Sequence, residues 1–328
     1  MLINYLLVAL SGFFLGILLI FVLKQVSLKY KMLTSLGIPL IGGISMALSF
    51  GFAAWLGSLV SYGSVPEAAG IILAAYVMLI FGFIDDLKEL SVMLKFLVQS
   101  VAAVLLVFAG VKTKIMYIGE FANILITVIW VIGITNAFNL LDVTDGLAAG
   151  AAAIISASFF AVAIFTGNIQ AAILLASLLG AVCAFLIYNF PPAKIYMGNS
   201  GSHFLGFIFA AIAITLSYAP IERKIALLSP LLILGFPIFD TIFLVLVRFK
   251  QKKPVFNKSG DHLVLRFLKI GHSKTKALLL MLFFCFLFSF CGIIVSRASN
   301  LQAAVVVLFV VLSGLLLFIR MKQVKIDA

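Results

Sequence analysis

Two carboxylates stand side by side where an apolar run ends, in Gly82-Phe83-Ile84-Asp85-Asp86-Leu87-Lys88. At a hydrocarbon edge Asp85 and Asp86 repel each other and lose hydration, an arrangement that invites a divalent cation. Oxygen-only ligation favours Mg2+ or Mn2+ over zinc. A plain helix end would also account for an acidic pair taken alone. The second group is Asn136-Ala137-Phe138-Asn139-Leu140-Leu141-Asp142-Val143-Thr144-Asp145-Gly146, in which Asn136, Asn139, Asp142 and Asp145 recur every three residues. On a last helical turn that period sets polar groups on one side, where amides and carboxylates can read a base edge and a ribose. A capping segment, with Asp145 capping the next helix, needs one such residue rather than four. The third group is Asn189-Phe190-Pro191-Pro192-Ala193-Lys194-Ile195-Tyr196-Met197-Gly198-Asn199-Ser200-Gly201-Ser202. Gly198 and Gly201 permit tight turns, and the free backbone N–H groups of the helix that starts there can meet a phosphate. Glycine is also frequent in membrane helices that bind nothing.

The elements that hold these groups must lie in a bilayer. Of the 328 residues, 64% are apolar and 10% charged, against about 25% charged in a soluble domain. A membrane span needs about 20 mainly apolar residues. Eleven runs qualify, near 2–23, 40–60, 67–84, 92–110, 121–138, 146–166, 170–189, 202–219, 226–247, 277–295 and 301–319. They are apolar on every side and twice too long for spanning strands, which excludes a β-barrel. The expected fold is all-α: a polytopic membrane protein of about eleven helices in a single domain over 1–328. Active-site loops are expected near 85–95, 136–146, 190–202 and 248–276. The first run has no basic residue before it and no small-residue cleavage site, so it reads as a retained helix. Cys183, Cys285 and Cys291 fall inside apolar runs, without metal or disulfide spacing, and read as small buried residues.

The net charge of +12 does not point to nucleic acid, because no basic groove with aromatic platforms accompanies it. It is distributed as a topology signal. With the N-terminus outside and the C-terminus cytoplasmic, all of the 23 Lys and Arg except Lys112, Lys114, Arg223, Lys224 and Arg297 fall inside, as the positive-inside rule requires. Asp85, Asp86, Asp142, Asp145, Asp240, Asp261 and Asp327 share that side, while Glu67, Glu120 and Glu222 lie opposite. The longest polar excursion, 248–276, carries nine basic residues that suit anionic headgroups. Within it, Asp261-His262-Leu263-Val264-Leu265-Arg266-Phe267-Leu268 interleaves polar and apolar positions at a helical period.

Carboxylates for a cation, amides for a nucleotide and basic groups for phosphates, all on one membrane face, form the set that phosphoryl transfer requires. A transporter would place ionisable groups or broken helices at mid-membrane and show internal repeats, and neither is evident. A lipid- or nucleotide-binding protein without chemistry remains the other alternative.

In Gly37-Ile38-Pro39, Gly42-Gly43, Asp85-Asp86, the 136–146 segment, Pro191-Pro192-Ala193-Lys194 with Met197-Gly198, Pro237-Ile238-Phe239-Asp240-Thr241 and the loop from Asp261 to Arg266, the chain resembles the polyprenyl-phosphate N-acetylhexosamine-1-phosphate transferases. The resemblance implies an eleven-helix protein of the bacterial inner membrane that uses Mg2+ to move a HexNAc-1-phosphate, most simply GlcNAc-1-phosphate, from a UDP-sugar to undecaprenyl phosphate. UMP would leave, at the first membrane step of cell-wall or surface polysaccharide synthesis. It implies that Asp85 and Asp86 bind metal and handle the lipid phosphate, that Asn136, Asn139, Asp142 and Asp145 form the nucleotide-sugar segment, and that Asp240 is an active-site carboxylate. His262 and Arg266 would engage phosphates or sugar, and a homodimer is compatible with it. Three departures from the family pattern stand out. Asn199 stands where a metal-binding Asp is usual, Val143 replaces the glycine after Asp142, and Val264 and Leu265 replace two histidines. Loss of one negative charge at position 199 should weaken a cation, so a catalytically impaired or non-catalytic homologue is the alternative within the family.

Overall fold

A computed structural model of the chain describes all residues except 1, 31–32, 61–65, 117, 217, 219–222, 254–260 and 325–328. Glu222, Asp327 and the middle of the basic 248–276 segment therefore lie outside the described residues. The chain divides into two compact units, Met1–Leu216 and Ser217–Ala328.

The first unit contains α1 (Leu2–Tyr30), a hairpin of β1 (Thr34–Ser35) and β2 (Ile38–Pro39), and seven further helices. These are α2 (Gly42–Val60), α3 (Pro66–Leu87), α4 (Val92–Phe108), α5 (Gly119–Leu141), α6 (Leu147–Thr166), α7 (Ile169–Asn189) and α8 (Gly198–Thr215). Backbone polar groups in lipid must be satisfied within the segment, so long apolar runs become helices. Helices α7 and α8 are buried on almost every side, whereas α1 turns Leu6, Phe14, Leu18 and Phe21 outward. Small residues let α1 meet α7 closely: a side chain on Gly12 would press on the Ser177 carbonyl at 2.9 Å, and one on Gly16 on Ala184 at 2.8 Å. This is the small-xxx-small packing of membrane helices, in which van der Waals contact replaces the hydrophobic effect.

The hairpin was not expected from the sequence, being only two residues per strand. Leu36 and Gly37 both take positive φ at its tip, as a two-residue type I′ turn requires. Its second strand fixes the third loop group: Tyr196 N–H donates to the Pro39 carbonyl at 2.8 Å, and Gly42 and Gly43 N–H donate to the carbonyls of Tyr196 and Met197 at 2.9 and 3.0 Å. The start of α8 is thereby tied to the start of α2.

The second unit contains a 3-10 turn at Lys224–Leu228, then α9 (Ser229–Ile233), α10 (Gly235–Lys250), α11 (Leu263–Lys269), α12 (Lys274–Arg297) and α13 (Asn300–Lys322). Helix α12 lies against α9 through two hydroxyls, Ser229 Oγ donating to the Gly292 carbonyl at 2.8 Å and Ser289 Oγ to the Ile233 carbonyl at 2.9 Å. The chain bends by 72° between Lys224–Ile233 and Gly235–Lys250, where Pro237 lacks the N–H that a straight helix would use. Among the described residues eight helices are long and apolar enough to cross a membrane, nine if the bent pair counts as one. The protein is an all-α, polytopic membrane protein. Each of the eleven apolar runs overlaps a helix or, at 226–247, the bent pair; α4, at 17 residues, and α8, with its polar first turns, fall outside the eight.

Candidate active site

In the first unit the three loop groups meet around the start of α8. Gly198, at φ +73°, turns the chain into the helix in a conformation that L side chains resist. Its Cα faces Asp86, whose Oδ2 would lie 2.5 Å from an added Cβ. Asp86 Oδ1 accepts from Asn199 N–H at 2.7 Å, and Oδ2 accepts from Ser200 N–H at 3.0 Å. A carboxylate from α3 thus caps two of the N–H groups that a helix start leaves free, and the helix dipole favours its charge. The neighbouring Asp85 turns elsewhere. It is buried, pairs with Lys95 Nζ of α4 at 2.6 Å, and accepts the Leu90 N–H at 2.8 Å.

The four regularly spaced polar residues fan out rather than share a face. A three-residue step drifts by about 60° per repeat on a helix of 3.6 residues per turn, so each reaches a different neighbour. Asn136 exchanges two hydrogen bonds with Gln99 of α4, at 2.7 and 3.3 Å. Asn139 Nδ2 donates to Asn199 Oδ1 and to Ser202 Oγ, both at 3.0 Å. Asp142 ends α5 at its C-cap. Burial first, then the charges of Asp86 and Asp145, push its carboxyl up to about 7. Asp145 Oδ2 accepts from Ala193 N–H at 3.0 Å, and the Gly146 N–H donates to Asn189 Oδ1 at 2.9 Å. These two bonds stitch the 142–146 loop to the 189–195 loop.

In the second unit Asp240 of α10 receives the start of α11. Its Oδ1 accepts the Leu263 N–H at 3.3 Å, and its Oδ2 lies 3.6 Å from His262 Nδ1, too far for a hydrogen bond. Arg248 Nε lies 3.6 Å from Asp261 Oδ2. Arg266 is 1% exposed. Its NH1 donates to the Met321 carbonyl at 3.0 Å and to the Val324 carbonyl, and the guanidinium lies 5.1 Å over the Phe243 ring. It binds the C-terminal carbonyls of α13, where a cation complements the helix dipole.

Residues 68–217 match glycosyl transferase family 4. Over 272 residues, 80% of this chain and 74% of the relative, the sequence is 32% identical to the probable undecaprenyl-phosphate N-acetylglucosaminyl 1-phosphate transferase of Bacillus subtilis. It is 32% identical over 277 residues to the decaprenyl-phosphate N-acetylglucosaminephosphotransferase of Mycobacterium tuberculosis, covering 74% of this chain and 68% of that one. A phospho-N-acetylmuramoyl-pentapeptide-transferase of Staphylococcus aureus is 35% identical over 207 residues, 55% of this chain and 63% of the relative. The chain belongs to glycosyl transferase family 4. These relatives place it in the superfamily of polyprenyl-phosphate HexNAc-1-phosphate transferases, the one that its motifs resemble.

Several residues of this family member's site escape motif reading. Lys95 is the one charge in α4, and an isolated charge in an apolar helix signals a partner. Gln99, one turn on, marks the same face. His203, on α8 one turn after Asn199, is fully buried beside Phe81 at 5.7 Å between ring centroids, and neither ring nitrogen has a hydrogen-bond partner among the described residues.

The Mg2+ that family resemblance implies would fall to Asp85, Asp86 and Asn199. Both Asp86 oxygens hold the start of α8, both Asp85 oxygens hold Lys95 and Leu90, and Asn199 Oδ1 accepts from Asn139. Among the described residues no three His, Cys, Asp or Glu side chains gather as a metal would need. As arranged, the expected donors do not fit a resident divalent cation.

Proposed function

We propose that the chain transfers a HexNAc-1-phosphate, with GlcNAc-1-phosphate the first candidate, from a UDP-sugar to undecaprenyl or another polyprenyl phosphate. UMP is released, at the first membrane step of cell-wall or surface polysaccharide synthesis in the bacterial inner membrane. The observation that carries this is the convergence of Asp86, Asn139, Asp142 and Asn199 on one helix start. Relatives named for this reaction, similar over most of the chain, supply its type. Eleven spans with the N-terminus outside would put that helix start at the cytoplasmic face, where a nucleotide sugar arrives while the isoprenoid tail stays in lipid.

The transfer is an in-line displacement. An oxygen of the lipid phosphate attacks the phosphorus that bears the sugar, the bond from that phosphorus to the UMP oxygen breaks, and UMP leaves with the electron pair. A phosphate monoester with a second pKa near ~6 is largely ionised at neutral pH, so a strong base is not required. Asn139, Asp142 and Asp145 are assigned to the uridine and ribose. Asn136, tied to Gln99, props the segment. His262, whose Nδ1 lies 3.6 Å from Asp240 Oδ2, is assigned to charge on the phosphates. Arg266 serves the second unit's fold, given its carbonyl partners.

The test incubates purified protein with undecaprenyl phosphate and a panel of UDP-sugars, with Mg2+, with Mn2+ and with EDTA, and follows UMP and lipid-linked product. No turnover with any donor, while a sister enzyme works in the same detergent, would sink the proposal. A second alternative, a nucleotide- or lipid-binding homologue without chemistry, is favoured by the Asn139–Asn199 amide pair and predicts binding without product.

A further inference from the structure

Two of the backbone donors at the start of α8 are not free to receive a phosphate. The N–H groups of Asn199 and Ser200 are both taken by Asp86, which occupies part of the usual anion site of a helix start. Side-chain donors are left to share in recognition of a diphosphate at this place. Asn199 is only partly buried. Its Oδ1 accepts from Asn139, and its Nδ2 has no hydrogen-bond partner among the described residues. An aspartate at 199 would present acceptors alone, set beside Asp86, and two acceptor groups meet a phosphate only through a cation. A carboxamide presents N–H donors, which pair with a phosphoryl oxygen directly and in charge-assisted form.

We infer that Asn199 makes the diphosphate end of this site a direct hydrogen-bonding site: its carboxamide N–H donates to a phosphoryl oxygen of a uridine nucleotide, and nucleotide binding does not require a protein-held divalent cation. The inference rests on the nucleotide-sugar function proposed above and names how that site takes its substrate. The acidic neighbours do not forbid it, because Asp85 is paired with Lys95 and Asp86 faces the positive end of α8.

Calorimetric titration of the full chain in detergent with UDP, once with excess Mg2+ and once with EDTA, tests it. The wild-type dissociation constant should differ by less than about threefold between the buffers, whereas Asn199→Asp should bind at least about tenfold more weakly in EDTA and recover with Mg2+. Asn199→Ala removes the donor without adding charge and should weaken binding about tenfold in both buffers. Wild-type binding that vanishes in EDTA and returns with Mg2+ overturns the inference and leaves the transferase proposal standing. So does Asn199→Ala binding UDP as the wild type does. Failure of wild type and both variants to bind UDP in either buffer overturns the inference together with the uridine-nucleotide assignment.

Discussion

Asp142 is the residue whose protonation most directly reports the site. Its folded value of about 7 lies above the ordinary 3.8, through burial and then through Asp86 and Asp145. A carboxyl raised on folding holds its proton more firmly in the native state, so its contribution is greatest below the unfolded value and is lost as pH rises through the folded one. Relative to Asp142→Asn, the wild type should lose thermal stability between about pH 4 and pH 7 and stay at that deficit above it. Melting curves of both proteins across that range check this, and parallel curves would show that the carboxyl is not strained. Lys95 makes a second case. Removing it leaves Asp85 buried without its cation, which costs about 3–5 kcal/mol for a fully buried pair, and about 2 kcal/mol here because the Lys95 side chain is 23% exposed and partly screened. Lys95→Ala should therefore melt well below wild type, and Lys95→Ala combined with Asp85→Asn should recover most of the loss. Asp85 is legible as half of an acidic pair, but nothing local reveals that it turns to Lys95 while Asp86 caps α8. Two adjacent residues on a helix point about 100° apart, and which neighbour each meets is decided by packing.

At the scale of elements, the helices follow from composition because lipid leaves an apolar segment no other way to satisfy its backbone. Short devices do not. The β1–β2 hairpin has too few residues to leave a periodic signature, yet it joins α2 to α8 through Tyr196 and Met197. Arg266 illustrates the same gap. In a basic loop its sequence context suggests a phosphate ligand, whereas its partners are carbonyls of Met321 and Val324, 55 and 58 residues away. The guanidinium fastens α11, a helix of seven residues that is too short to be stable alone, to the end of α13. Arg266→Ala should raise hydrogen exchange in 261–269 and around 321–324 while α1 to α8 stay protected, and Arg266→Lys should restore little, lacking the planar fork. Unchanged exchange with lost transfer would return Arg266 to a role at the phosphates.

For the whole molecule, the question is how many times the chain crosses the bilayer, because the number decides on which face the loop groups lie. Eight helices pass by length and hydropathy, and the bent pair makes nine. Adding α4 and α8 gives the eleven expected from the apolar runs. Helix α4, with 17 residues, spans about 26 Å, a few Å short of a ~30 Å core, a mismatch that local thinning absorbs at modest cost. Helix α8 begins with polar groups that the protein itself meets, the Asn199 backbone N–H by Asp86 and the Asn199 and Ser202 side chains by Asn139, so hydropathy undervalues it. Both therefore cross if the charge asymmetry is a true topology signal, each misplaced Lys or Arg near an anionic surface costing about 1 kcal/mol. Single cysteines placed at exposed positions flanking each helix decide it, in a background with Cys183, Cys285 and Cys291 replaced. Lys114→Cys and Lys224→Cys should react with a membrane-impermeant maleimide in intact cells, and Lys88→Cys and Lys194→Cys only after permeabilisation. If Lys88 and Lys114 label from the same side, α4 does not cross; if Lys194 and Lys224 do, α8 does not. Loss of the α4 crossing would set Asp86 and Asn139 on opposite faces, against the hydrogen bonds that both make to the start of α8, whereas loss of the α8 crossing would leave the Asn199 turn where it is and reverse only the helices after it.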